Sequence, residues 1–229
     1  MRLVEEALAA ELPIRGAVIA ADLDRTARGV ALREELERRT VPLETVSARV
    51  FAPLADTDTP QGIVAVIEPR HWTPADLDLG GGGVVLVIDG VQDPGNVGTL
   101  LRTAHGLGAR GTIVLRGTAD VLGPKTLRAG MGASFRHPVV SLDDAAFIAW
   151  TREGGVTLWA TAADGTPIAR VKRGTGPVGV IVGNEGAGIR PALNAVAAQR
   201  VAIPLPGGAE SLNVAVAAGI LLYEVLRGR

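Results

Sequence analysis

Residues 84–116, VVLVIDGVQDPGNVGTLLRTAHGLGARGTIVLR, decide the fold class. An apolar run, a segment with helical spacing and a second apolar run follow one another, which reads as strand, helix, strand. Asp93 stands where a helix N-cap is needed and Pro94 falls in the first turn. Val97, Leu100, Leu101, Ala104 and Leu107 then form one stripe, the face expected to pack on a sheet. Strands with apolar residues at nearly every position are buried on both faces, so the expectation is α/β with a parallel sheet and helices on both sides.

Downstream the alternation continues. Helices are expected at Lys125–Met131, Asp143–Arg152 and Pro191–Ala198, and strands at Thr112–Arg116, Pro138–Val140, Thr157–Thr161, Val178–Gly183 and Arg200–Leu205. A final helix, NVAVAAGILLYEVL at 213–226, is apolar nearly all round, which predicts burial within the domain or against a second protomer. Upstream, helices at Leu3–Ala10 and Thr26–Arg39 alternate with strands at Ala17–Ala20, Val41–Val46 and Gly62–Glu68, a small α/β unit over residues 1–68. Pro69, Pro74 and the run Gly80–Gly83 mark residues 69–83 as a linker, leaving 84–229 as the larger domain. The glycine run is no phosphate loop, because a strand follows it and no Gly-Lys-Ser/Thr does.

The chain has 229 residues, 47% apolar and 21% charged, as expected of a folded protein. It has no cysteine, which excludes disulfides, thiolate nucleophiles and Cys-based metal sites. His71, His105 and His137 lack ligand spacing, so no metal is expected. The acidic start and the lack of a long apolar run argue against a signal peptide or membrane span, so the expected location is cytoplasmic. Net charge is -1, unevenly spread: residues 1–70 hold 9 arginines against 12 acids, whereas residues 100–137 hold six basic side chains against Asp120. That segment is a candidate RNA patch or simply a solvated surface. With 3% aromatic residues, contact with RNA should rest on arginine, phosphate and the 2′-hydroxyl rather than on base stacking.

Three loops carry the candidate chemistry. In the first, Arg102 points away from the apolar stripe of its helix. Asn96 sits six residues earlier, so the two can converge only if Asn96 lies at the edge of the preceding loop. The second, VIVGNEGAGIRPAL at 180–193, runs from a strand into a loop where Gly186 and Gly188 permit positive φ and Glu185 is a lone acid. The third, VAIPLPGGAESLNVAV at 201–216, brings Ser211 and Asn213 to the mouth of the last helix, Ser211 being a candidate N-cap. Separate strand ends thus deliver glycine-rich turns and polar groups to one edge of one sheet.

The pattern NxxxxxR at 96–102, GNEGxG at 183–188 and IPLPGGAESLNVAVAAGI at 203–220 resembles the three motifs of the SpoU/TrmH family of RNA ribose 2′-O-methyltransferases, within the SPOUT superfamily. The resemblance covers residues 84–229. Residues 1–70, with the TDTPQG connector at 57–62, resemble the L30e-like RNA-binding domain that many members carry in front. Members usually have a further strand and helix before RLVEEAL, so the unit is expected to be shortened at its N-terminus.

The resemblance implies a C-terminal trefoil knot, a homodimer, S-adenosylmethionine as cofactor and ribosomal or transfer RNA as partner. Carried over position by position, it gives Asn96, Arg102, Glu185, Ser211 and Asn213 as the catalytic set. Gly183, Asn184, Gly186, Ile203, Pro204, Leu212 and Thr161 are the matching cofactor-binding positions. Arg102, always protonated, would stabilise charge developing on the 2′-oxygen, while Asn96, Glu185 and Ser211 orient the groups. If a true base exists, His105 is the candidate. Two alternatives stand beside this reading: an RNA-binding protein of the same fold without turnover, and a nicotinamide-dependent oxidoreductase. The second is weakened by the lack of G-x-G-x-x-G after the first strand of the larger domain.

Overall fold

The computed structural model describes residues 1–55, 57 and 59–227, and the chain divides into two compact units, Met1–His71 and Trp72–Arg229. Asp58 of the 57–62 connector lies outside the described residues.

The first unit contains α1 (Arg2–Ala9), β1 (Ile14–Ala20), α2 (Ala27–Arg38), β2 (Leu43–Val46), the single turn α3 (Ala48–Phe51) and β3 (Ile63–Ile67). Its sheet has the order β2-β1-β3, with β2 parallel and β3 antiparallel to β1. Thr26 starts α2 by accepting a hydrogen bond from the Gly29 amide at 3.0 Å. Val4 and Leu8 of α1 and Leu32 and Leu36 of α2 meet Ile19 and Ile63 of the sheet in one small core.

The second unit runs β4 (Val84–Asp89), α4 (Pro94–Leu107), β5 (Gly111–Val114), α5 (Pro124–Gly130), β6 (Val139–Ser141), α6 (Asp144–Glu153), β7 (Thr157–Pro167), β8 (Val178–Gly183), α7 (Pro191–Val196), β9 (Gln199–Ala202) and α8 (Val214–Arg227). Six strands in the order β6-β5-β4-β8-β7-β9 pair in parallel throughout. Every residue of β4 is buried, and the period of two divides them. Leu86 and Ile88 join Leu100, Ala104 and Leu222 on the face covered by α4 and α8, while Val85 and Val87 join Phe147 and Leu193 on the opposite face. Each such side chain contributes about 1.5–3 kcal/mol on burial. This explains why the sequence carries no polar alternation there.

Three local expectations need correction. Residues 72–83 are not a bare tether: Leu77 is buried against the sheet with Val85 and Phe147, and Trp72 and Leu79 pack beside it. The strand expected to stop at Thr161 continues to Pro167, because a register shift lets both Thr161 and Thr166 align with Val201, with residues 162–165 bulging between them. The strand expected over 200–205 ends at Ala202, so Ile203 and Leu205 belong to the exit loop. The last helix, α8, for which burial within the domain or against a second protomer is expected, is buried along Val214, Ala218, Leu221, Leu222 and Val225 and leaves Val216, Ile220 and Tyr223 exposed.

Among the described residues no helix is long and apolar enough to cross a membrane, and no cluster of three His, Asp or Glu side chains could hold a metal ion.

Candidate active site

Strand order reverses direction at β4 and β8, which are neighbours in the sheet although far apart in sequence. In sheets of this kind the segments leaving such C-terminal ends are where functional groups gather. The loop after β8, residues 184–189, is anchored at both ends to the end of β4, at its last residue Asp89 and at Gly90 just beyond it. At its entry the Asn184 amide nitrogen Nδ2 donates to the Gly90 carbonyl at 2.9 Å. At its exit the Arg190 backbone amide donates to Asp89 Oδ2 at 2.8 Å and Arg190 Nε to Oδ1 at 2.6 Å. The Arg190 fork then closes on both oxygens of Asp144 at 2.8 Å. The Asp89 side chain is fully buried, so this arginine satisfies a carboxylate that would otherwise be stranded away from water.

Within the loop, Asn184 Oδ1 accepts from the amides of Gly186 and Ala187, both at 2.9 Å. Asn184 and Gly188 also exchange a pair of backbone hydrogen bonds. Gly188 has φ +71°, whereas Gly186, expected to share that freedom, has no positive φ. Gly183 is required for a different reason: a Cβ there would lie 2.3 Å from the Gly188 carbonyl carbon.

The tip of this loop presents Glu185, whose Oε1 accepts from Asn96 Nδ2 at 2.8 Å. Asn96 Oδ1 in turn accepts from Asn213 Nδ2 at 2.9 Å. Three side chains from three segments, with Asn96 lying 89 residues from Glu185 and 117 from Asn213, thus form one continuous chain of hydrogen bonds. Asn96 is placed by its helix. Asp93 caps α4 by accepting from the Asn96 amide at 2.8 Å, and that bond, followed by the Lys125 ammonium at 3.1 Å, holds the Asp93 carboxyl below the usual carboxylate range. Asn213 is the N-cap of α8, its Oδ1 accepting from the Ala215 amide at 3.0 Å. The cap expected at Ser211 therefore belongs two residues later.

Ser211 is used elsewhere. It lines a pocket together with Leu212, Ile203, Thr161 and Glu210, between the bulge of β7, the exit of β9 and the loop before α8. Pro204 is exposed and not among the lining residues, and neither are Gly183, which ends β8, nor Asn184 and Gly186 of the loop after it.

Arg102 does not join the hydrogen-bonded set. Asn96 lies inside the first turn of α4, not in the preceding loop, so the six-residue separation leaves the two side chains on different sides of the helix. Arg102 is exposed and makes no hydrogen bond or ion pair with the described residues. It lines a groove with Thr99, Gly106, Gly219, Ile220 and Tyr223, along the uncovered side of α8. Of the other basic residues in the 100–137 segment, Arg116 pairs with Asp144 at 3.2 Å and Lys125 with Asp93 at 3.1 Å, and Arg110 lies 3.9 Å from Asp78. Acids elsewhere in the chain thus neutralise part of the patch. His105 is likewise apart from the set, its ring 5.7 Å from that of His137 in an edge-to-face arrangement.

These motifs match a known family over most of the chain: residues 83–223 match the SpoU rRNA Methylase family, and residues 1–73 match the RNA 2′-O ribose methyltransferase substrate binding domain. The chain belongs to the SpoU rRNA methylase family. It is 41% identical over 184 residues to the 23S rRNA (guanosine(2553)-2′-O)-methyltransferase RlmP of Bacillus subtilis, covering 80% of this chain and 71% of that protein. The AdoMet-bound rRNA methyltransferase from Sinorhizobium meliloti superposes with TM-score 0.86 at 32% identity, covering 99% of this chain and 85% of that one. The SpoU methyltransferase AviRb from Streptomyces viridochromogenes, in complex with AdoMet, also gives 0.86, at 28% identity, and covers 99% of this chain and 87% of that one.

As a SpoU methylase the chain is an α/β protein whose parallel sheet carries its polar groups at the β4–β8 switch point. Membership also removes the oxidoreductase alternative, and the geometry explains why: Asp93 places a carboxylate at the N-terminus of α4, where a dinucleotide fold keeps room for pyrophosphate. The Asp89–Arg190–Asp144 cluster was not foreseen from sequence. Asp89 ending an otherwise apolar strand, VVLVID, was its available signal, since a buried acid requires a partner.

Proposed function

We propose that this protein methylates ribose 2′-hydroxyl groups of ribosomal RNA, with S-adenosylmethionine as donor. The observation that carries the reading is the Glu185–Asn96–Asn213 chain of hydrogen bonds, set one residue beyond the pocket lined by Ser211 and Leu212. The pocket suits the donor. Ile203 and Leu212 offer apolar walls to a purine, Thr161 and Ser211 offer hydroxyls, and Glu210 offers a carboxylate to a ligand of net positive charge. Gly183, Asn184, Gly186 and Pro204 are the adjoining positions we assign to the same site. When bound, S-adenosylmethionine supplies an electrophilic methyl group on a sulfonium sulfur.

The chain's own residues divide the remaining work. Arg102, permanently cationic and without a partner among the described residues, is assigned to stabilise negative charge developing on the 2′-oxygen. Asn96 and Glu185 fix each other and orient the ribose. Asn213 locks that pair to the start of α8, and Ser211 contacts the ligand from the pocket side. His105 is left with a packing role beside His137.

Because Arg102 stands outside the hydrogen-bonded set, the reading requires a second copy of the chain. The exposed Val216, Ile220 and Tyr223 flank the groove that Arg102 lines, an apolar face suited to a homodimer in which each Arg102 serves the partner's site. A C-terminal trefoil knot is part of the same proposal, supported by membership of the family. The first unit, residues 1–68 up to a 69–83 junction, is assigned to substrate RNA, and the location to the cytoplasm.

The deciding experiment incubates the purified protein with labelled donor and either unmodified ribosomal RNA or transfer RNA, then maps 2′-O-methyl groups. Label at one ribosomal nucleotide is the expected result. Label confined to transfer RNA would move the substrate class, and RNA binding with no label in either would favour the non-catalytic alternative.

A further inference from the structure

Among the residues lining the pocket beside Ser211 and Leu212, Glu210 alone carries a charge. It is exposed and forms no hydrogen bond or ion pair with the described residues. This sets it apart from the other acids around the sheet's C-terminal rim. Asp89 and Asp144 are held by Arg190, Asp93 by Lys125, Asp164 by Arg200 and Glu185 by Asn96. Every one of those carboxylates has a protein partner, and Glu210 faces a ligand pocket without one.

We infer that Glu210 is a specificity-determining residue that distinguishes the methyl donor from the spent product by charge. The inference rests on the pocket's assignment to S-adenosylmethionine made above. The donor carries a sulfonium, an ammonium and a carboxylate, net +1. Once the methyl group has left for the ribose oxygen, the sulfur is a neutral thioether and the product, S-adenosylhomocysteine, has no net charge. Adenine, ribose and amino-acid portions are identical in the two molecules, so the walls formed by Ile203 and Leu212 cannot tell them apart. A fixed carboxylate can, because its Coulomb interaction follows the charge that disappears. For a partly solvated charge pair several ångströms apart at moderate salt, this is worth about three- to tenfold in relative affinity. Product inhibition is reduced by the same factor without any contact to the transferred methyl group.

The test is calorimetric titration of the full-length chain and its Glu210→Gln variant with S-adenosylmethionine, S-adenosylhomocysteine and the donor analogue whose charged centre is an ammonium. The variant should lose about three- to tenfold in affinity for both cations and less than about twofold for the neutral product. Raising salt from about 50 to about 500 mM should draw the wild-type preference toward that of the variant. Glu210→Asp, which keeps the charge, should retain most of the preference. Equal weakening of all three ligands, or an unchanged ratio, overturns the role of Glu210 while leaving the pocket assignment intact. If the folded wild-type chain binds neither donor nor product, the pocket assignment itself falls, and the inference with it.

Discussion

The two units solve the problem of polar groups in opposite ways. In the first, charge stays outside: Arg28 grips Glu5, Arg33 bridges Asp24 and Glu37, and Arg38 and Arg39 share Glu35, all on exposed or half-exposed surface around a core of a few aliphatic side chains. In the second, the central strand β4 is wholly buried and ends in a carboxylate with no access to water, held by an arginine that also fixes a functional loop. Pairs of the first kind are screened and weak, whereas breaking one of the second kind leaves an uncompensated buried charge. The lesson is that the number of ion pairs says little about where stability or function resides. A carboxylate's depth, and what else its partner holds, decide both.

The strongest challenge to this contrast is Arg190→Ala. Leaving the buried Asp89 carboxylate without its countercharge should cost about 3–5 kcal/mol in urea denaturation. A loss below about 1 kcal/mol would place this cluster in the same class as the surface pairs. Next comes Arg102→Ala, which should leave the melting temperature unchanged and reduce single-turnover methylation by about 10²-fold or more. Mixing Arg102→Ala with Glu185→Ala chains should restore part of the activity, since a shared site leaves one intact copy per mixed dimer. No recovery would return Arg102 to the site of its own chain.

A third test uses pH. His137 is buried, its Nε2 2.8 Å from the Thr112 hydroxyl, and burial, followed by the nearby His105, lowers its pKa from 6.5 to about 4. The unfolded chain therefore binds the proton first. Stability is full above pH 6.5 and falls as the pH drops from there toward 4, by up to about 3 kcal/mol. Thermal melts across that window should show the slope in the wild type and not in His137→Gln. The smallest effect is expected in the first unit: Arg28→Ala should leave the melting temperature nearly unchanged, and added salt should mask any remaining difference.

Much of the architecture was legible because it rests on periodicity. Unbroken apolar runs marked β4 and β8, and the stripe Val97–Leu107 marked the buried face of α4. Asp93 as the cap of α4 was readable from residue type and position alone. What escaped depended on contacts distant in sequence. That Asn213 and not Ser211 caps α8 follows from where the chain turns, and the two residues are equally good candidates by composition. Leu77 looked like part of a linker because prolines and glycines surround it, yet its side chain packs on the sheet with Trp72 and Leu79 beside it. The motif residues could be named from sequence, but their division into a hydrogen-bonded trio, a pocket and a solitary arginine required the helical phase of α4 and the course of the loops.

The loop carrying Glu185 is tied at both ends to the end of the wholly buried strand β4, at Asp89 and at Gly90 just beyond it, and its own amides at Gly186, Ala187 and Gly188 are all occupied by Asn184. Solvent surrounds it, yet deuterium should enter these three positions slowly, at rates closer to those of β4 than to those of other surface turns. A segment of this kind works as a rigid bracket: incoming RNA has to fit it, since there is little slack for the bracket to fit the RNA.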